Sequence, residues 1–370
     1  MASEERCPWK RFWCPWEKSI SFADDGFVFD PESEYGILMN PALITLESVA
    51  ASPCAILLGE PGLGKSDALR EHQAKLASHS DVPTPQVMFV DLKDFGSDAA
   101  LSRDVFDSEA MQSWKRGNSH LYLLLDSFDE GLLSIEALSG YLVREIRKLL
   151  APPTFQAARM TGGGAVMPTN TPSRPGVDES STLVQQAPPL DRLHIRIACR
   201  PAVWPASLST DLGAIFGEDV LKLRLVPLRR CDVEIAACQK GAKNFVQEVI
   251  SHGLVPFATK PITLKALLNR FTSDQSLPQT RREIYGELCR IACGESSRSR
   301  REKRETGGFT PDERLRVARR VAALMVFSNR GHLRTDLPIE GIQQDELGLD
   351  YVFGSERQDG IELRIDLHAP

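Results

Sequence analysis

The stretch Gly59-Glu60-Pro61-Gly62-Leu63-Gly64-Lys65-Ser66 decides how this chain reads. It has the form G-x-x-x-x-G-K-[ST]. A short apolar run, Ala51 to Leu58, precedes it. A helical pattern from Lys65 to Ser78 follows, with Ala68, Leu69, Ala74 and Leu76 on its apolar side. Strand, glycine loop and helix in that order make a phosphate cradle. Gly59, Gly62 and Gly64 let the backbone turn so that N–H groups point inward, and the helix start adds its positive dipole end. Lys65 brings a point charge to the outer phosphates, and Ser66 offers a hydroxyl to magnesium. Glu60, Pro61 and Leu63 complete the loop. The expected ligand is ATP (or ADP) with Mg2+.

Working outward, the next signal is Leu121-Tyr122-Leu123-Leu124-Leu125-Asp126, continuing Ser127-Phe128-Asp129-Glu130. An apolar strand ending in an acid is expected to set Asp126 beside Ser66, where it holds magnesium directly or through water. Asp129 and Glu130 follow at the γ-phosphate edge. Either can orient or activate an attacking water, and Glu130 is the preferred one. A third signal is Ile197-Ala198-Cys199-Arg200-Pro201, whose arginine is expected to contact the γ-phosphate and report its presence. The catalytic candidates are therefore Lys65, Asp129, Glu130 and Arg200, and the metal candidates are Ser66 and Asp126.

The remaining pattern predicts strands over Val87 to Leu92, His120 to Leu125, Leu193 to Cys199 and Val220 to Val226, with a helix over Ser134 to Leu150. Strands alternating with helices predict an α/β domain built on a parallel sheet covered on both faces, spanning residues 51–228. Residues 151–190, rich in Pro, Gly, Ser and Thr, read as a disordered insertion. From Arg230 the strand signal fades. Helices are expected over Asp232 to His252, Ile262 to Phe271, Thr280 to Cys293 and Pro311 to Ser328. A helical subdomain thus covers 229–295, and a helical or winged-helix-like region begins at 308 and runs to 370. The basic run Ser296 to Arg304 reads as a solvated loop, since Glu302 and Glu305 dilute it and no aromatics interleave it.

Residues 1–50 form an arm carrying a small repeat, Cys7-Pro8-Trp9 and Cys14-Pro15-Trp16. Two cysteines without partner histidines are a poor metal site, so the arm is read as non-regular packing. The 370 residues carry a net charge of -6, with 42% apolar and 25% charged residues. That balance gives no global attraction to nucleic acid or to an anionic membrane. No stretch reaches the ~18 consecutive apolar residues of a membrane span. The eight cysteines show no CxxC pair, which fits a reduced, cytoplasmic compartment.

At this point the motifs resemble the NACHT branch of the STAND ATPases, signal-transduction relatives of AAA+ proteins. Leu123 to Glu130 (LLLDSFDE) is similar to that branch's strand, Asp, two residues and Asp-Glu. Ile197 to Pro205 (IACRPAVWP) resembles its fourth strand and Arg-Pro sensor, and Leu225 to Ala237 the opening of its helical subdomain. Lys260 to Leu268 (KPITLKALL) resembles its proline-containing helix start, which maps the nucleotide-facing proline onto Pro261. Thr280 to Ile291 resembles the following helix, with Tyr285 as its tyrosine. The resemblance implies a slow ATPase acting as a switch. Nucleotide would sit between the α/β and helical parts, an unknown protein trigger or effector would act on it, and a homo-oligomer would form on activation. The implied setting is antiviral or innate defence. The alternative is an AAA+-like motor or loader on nucleic acid, with Arg229 or Arg230 offered to a neighbour. A small-molecule kinase ranks last, because no arginine-rich lid follows the fourth strand.

Overall fold

The computed structural model describes residues 9–78, 84–135, 137–150, 189–274, 276–278, 280–293, 309–329, 332–334 and 346–348. The expected insertion, apart from its last two residues, and the basic run Ser296 to Arg304 lie outside the described residues.

A six-stranded sheet organises the first part of the chain. Its strands are β1 (Trp13–Pro15), β2 (Cys54–Leu58), β3 (Gln86–Asp91), β4 (Leu121–Asp126), β5 (Leu193–Cys199) and β6 (Val220–Leu225), in the order β1-β6-β2-β5-β4-β3. All pairs are parallel except β1 with β6. Every residue of β2 and β5 is buried. Two-sided burial is what a parallel sheet under helices requires. It explains the unbroken apolar run of β2, whereas β5 also buries His194 and Arg196.

The helices used below are α1 (Glu34–Met39), α2 (Lys65–Ala77), α3 (Glu109–Arg116), α4 (Phe128–Ser134), α5 (Leu138–Leu150), α6 (Ala206–Phe216), α7 (Arg230–Gln239), α8 (Phe245–Ser251), α9 (Pro261–Asp274), α10 (Arg281–Ala292) and α11 (Pro311–Ser328). Side chains alternate across each strand. Ile56, Leu58, Leu123, Leu125, Ile195 and Ile197 join Leu142 and Ile146 of α5 and Leu208 and Leu212 of α6 in one core. Ala55, Leu57, Leu124 and Ala198 join Ala68 and Leu69 of α2 in the other. A third core belongs to the helical region, where Val233, Phe245, Val249, Leu264, Leu267 and Phe271 pack together with Phe27 of the arm. A two-stranded parallel ladder, β7 (His332–Arg334) with β8 (Glu346–Gly348), is described beyond α11. No helix among the described residues is long and apolar enough to cross a membrane.

Three sequence expectations change. The arm is not merely non-regular, because β1 extends the sheet along β6 and Trp13 and Cys14 are fully buried. The helix expected over Asp232 to His252 is two helices. Gly241 and Asn244 sit between them at φ +66 and +62, left-handed values that an uninterrupted α-helix excludes. The helix expected from Ser134 begins at Leu138, and the shorter α4 precedes it.

Candidate functional site

The residues singled out in the sequence meet at the carboxyl ends of β2, β4 and β5. Gly59 leaves β2 and donates its N–H to Cys199 O at the end of β5 (3.2 Å). Gly62 and Gly64 take φ +76 and +87, which only glycine adopts without strain. Leu63 is buried against Ala68 and Leu69 and anchors the loop's underside, while Glu60 and Pro61 are exposed at its tip. Gly64 then caps α2 with no side-chain cap bond, so the first-turn N–H groups face the loop's concavity.

Lys65 bends back over the loop, donating from Nζ to Gly59 O and, at 3.4 Å, to Glu60 O. Burial holds its ammonium below the ordinary lysine value. The charges of Asp129 and Asp126 oppose that shift, and Arg200 adds to it.

Asp126 closes β4 and is 1% exposed. Burial pushes its carboxyl up. The Ser66 hydroxyl pulls it down by hydrogen bonding, the Asp91 charge adds to the rise, and the Ser127 N–H opposes it. Its Oδ2 is buried with no hydrogen-bond partner. An acceptor left in that condition destabilises the ligand-free fold, and a hard cation beside Ser66 would relieve it. Among the described residues no three His, Cys, Asp or Glu side chains converge on a metal position. Ser66 and Asp126 offer one hydroxyl and one carboxylate, a donor set compatible with magnesium, which takes one or two carboxylates and completes its shell with water and phosphate.

The chain turns sharply after Asp126, since Ser127 has φ 55 and ψ 40, a left-handed conformation uncommon for a non-glycine residue. The turn starts α4. Phe128 and Gly131, three residues apart, face inward, with Phe128 packed on Trp204 at 5.5 Å and Gly131 close against Leu92. The helix period then leaves Asp129 and Glu130 on the outer side, above the loop.

Arg200 meets them there. It precedes Pro201, is extended at φ -78 and ψ 140, and so ends β5 with its side chain beyond the sheet. Its Nε lies 2.7 Å from Asp129 Oδ2, its Nη2 lies 3.9 Å from Glu130 Oε1, and its backbone N–H donates to Asp129 Oδ1 at 3.3 Å.

The helical region enters through α9. Ile262 N–H points at Gly62 O (3.5 Å). A Cβ placed on Gly62 would run into Ile262 Cγ2, and one on Gly64 would come 3.4 Å from Pro261 Cγ. Gly62 thus serves both the turn and the close approach of a second element, while Gly64 serves the turn. Tyr285 on α10 lies farther along, edge-on to Phe257 at 5.5 Å and more than half exposed.

The arginines raised for a neighbour's site are engaged elsewhere. Arg229 is buried and pairs with Asp232, Asp30 and Glu32, and Arg230 pairs with Asp25 and Glu234. Cys54 and Cys199 are buried thiols that burial pushes up to about 12. Three residues that the sequence reading passed over also lie beside the site, namely Asp91, Lys93 and Arg70. Asp91 ends β3 as Asp126 ends β4, so the same strand-then-acid signal was present in Val87 to Asp91.

No family model and no curated protein matches this chain.

Proposed function

We propose that this chain is a nucleotide-operated switch of the STAND type, NACHT-like in design, that binds ATP or ADP with Mg2+ along residues 59–66 and hydrolyses ATP slowly. The observation that carries the reading is the seating of Pro261 and Ile262 on Gly64 and Gly62. One loop is shared by the sheet and the helical region, so a ligand in that loop acts on the fit between them.

The residues divide the chemistry as follows. The N–H groups of the loop and of the α2 start bind phosphate oxygens. Lys65 exchanges its carbonyl partners for phosphate, a stronger, charge-assisted contact. Magnesium, when bound by Ser66 and Asp126, supplies charge neutralisation at the outer phosphates. Glu130 orients the attacking water and takes its proton, and Asp129 holds Arg200 at the rim until there is phosphate for it to contact. Opening of the α/β–helical contact, homo-oligomerisation and a cytoplasmic defence role with a protein trigger belong to the same proposal.

Lys65→Ala tests it. Nucleotide carried through purification should disappear, and affinity for a fluorescent ATP analogue should fall by about 1.5–3 kcal/mol, the worth of hydrogen bonds to a charged group. Unchanged affinity would remove the site assignment. Turnover stimulated by DNA or RNA would point instead to a motor.

A further inference from the structure

We propose that Asp91 is a second carboxylate of the cation seat, positioning the water shell of a Mg2+ ion held by Ser66 and Asp126, with Lys93 and Arg70 balancing its charge while the ion is absent. This rests on the nucleotide-binding reading above.

Asp91 and Asp126 are register partners at the ends of the parallel strands β3 and β4. Register partners leave a sheet on the same face, one strand spacing of about 4.8 Å apart. Asp91 Oδ1 and Asp126 Oδ2 are both buried and both lack a hydrogen-bond partner. Two adjacent carboxylates, each with an unmatched oxygen, repel one another and are poorly solvated, so the arrangement is unfavourable unless a cation or its bound water completes it.

Helix α2 crosses this pair. Ser66, in its first turn, faces Asp126. Arg70, one turn further on, lies 4.0 Å from Asp91 Oδ2 and over the Phe89 ring at 5.1 Å. The ammonium of Lys93 lies 2.7 Å from the same Asp91 Oδ2 and within the field of Glu130 and Asp126. Asp91 thus has one oxygen, Oδ2, neutralised from two sides, while Oδ1 is buried without a hydrogen-bond partner. A carboxylate one strand removed from a direct ligand is placed to hold the ion's water, and such outer partners set how tightly a metal is held. Lys93, sharing the acidic surroundings, competes with the incoming ion.

The test uses the full chain and a fluorescent ATP analogue, with affinity measured in EDTA and across a Mg2+ titration. In Asp91→Asn the Mg2+ midpoint should rise about ten- to a hundred-fold while the affinity in EDTA stays at the wild-type value. Mn2+ bound in the presence of nucleotide, counted by electron paramagnetic resonance, should fall in parallel. Asp91→Glu should recover part of the response, and Lys93→Met should move the midpoint the other way. A wild-type midpoint in Asp91→Asn, or an equal loss of affinity with and without Mg2+, overturns the inference. Should Asp91→Asn fail to fold, an unmoved midpoint in Lys93→Met overturns it as well. Lys65→Ala keeps the two readings separable. If it binds nucleotide normally, the nucleotide site itself is wrong. If it loses nucleotide while the Asp91→Asn midpoint is unmoved, only the role of Asp91 falls.

Discussion

Arg200 at the end of β5 is tied to Asp129 at the start of α4 by a 2.7 Å contact from Nε to Oδ2 and by its own backbone N–H to Oδ1. The Arg200 side chain is about one-third exposed, but that of Asp129 is only 10% exposed, so losing the arginine leaves a largely buried carboxylate short of its partner. Arg200→Ala should therefore cost about 1–3 kcal/mol in thermal unfolding. It should lower ATP turnover by roughly 10- to 1000-fold, the usual loss when one charge-stabilising donor is removed. The ratio of ATP to ADP affinity should move toward unity. Undiminished turnover would count against Arg200 as a sensor.

The contact between α9 and the loop yields a second expectation. Gly62→Ala imposes a left-handed alanine, costing about 1–2 kcal/mol, and drives a methyl into Ile262. Nucleotide should dissociate faster, because the helical region can no longer close on the loop. Ile262→Ala in the same chain should restore part of the loss, with a coupling of about 0.5–3 kcal/mol. Strict additivity of the two substitutions would show that the contact carries nothing.

A pH effect follows from the other end of the sheet. His194 is buried between His120 and Tyr122, with Nδ1 3.2 Å from Ser52 O and Nε2 2.9 Å from His120 Nδ1. The carbonyl fixes the tautomer, so Nδ1 carries the proton and Nε2 accepts. Burial lowers its pKa from 6.5 to about 4, Ser52 O opposes the shift, and Arg196 and His120 add to it. Below pH 6.5 the unfolded chain gains a proton that the folded chain refuses. Stability should fall as pH drops from 6.5 toward 4, by about 3 kcal/mol at most, and stay level above that window. Urea unfolding at pH 7.5 and at pH 5 should show a smaller loss for His194→Gln than for wild type, and equal losses would refute the assignment.

Arg229 gives the largest expected loss of stability. Its guanidinium binds Asp232 through Nε and Nη2 and reaches Asp30 and Glu32 of the arm through Nη1. Removing it leaves Asp232, itself buried, without its counter-charge. Arg229→Ala should cost about 3–5 kcal/mol in thermal unfolding, and Arg229→Lys should recover little because a lysine cannot reproduce the fork. Protease should cut the arm faster in both variants. An arm as resistant as wild type would show that Arg229 does not fasten it.

Much of the architecture was legible because its signals are local. Strands β2 and β4 are nearly continuous apolar runs, and the structure keeps Leu193–Cys199 as expected although His194 and Arg196 interrupt its apolar residues. The elements that escaped are those whose stability is borrowed. Strand β1 is three residues long and is held by pairing with β6 on one side and by the bridge from Trp13 to Ile44. Helix α3 buries Met111 and Trp114, and α6 buries Leu208, Leu212 and Phe216; both are short and carry few apolar residues on one face. At the site, the loop and the acids after β4 carry recognisable spacing. Asp91, Lys93 and Arg70 come together only through strand order and the crossing of α2, which spacing along the chain does not encode.

Strand β1 also sets an order of events in time. Trp13 leaves the ribosome early, but its partner Leu225 follows only after the rest of the sheet has been made. At ordinary synthesis rates that interval is roughly ten to forty seconds. Through it Trp13 can meet Ile44 but not β6, and pairing across so long a separation is slow even afterwards. Strand β1 is therefore the last of the sheet to be stitched in.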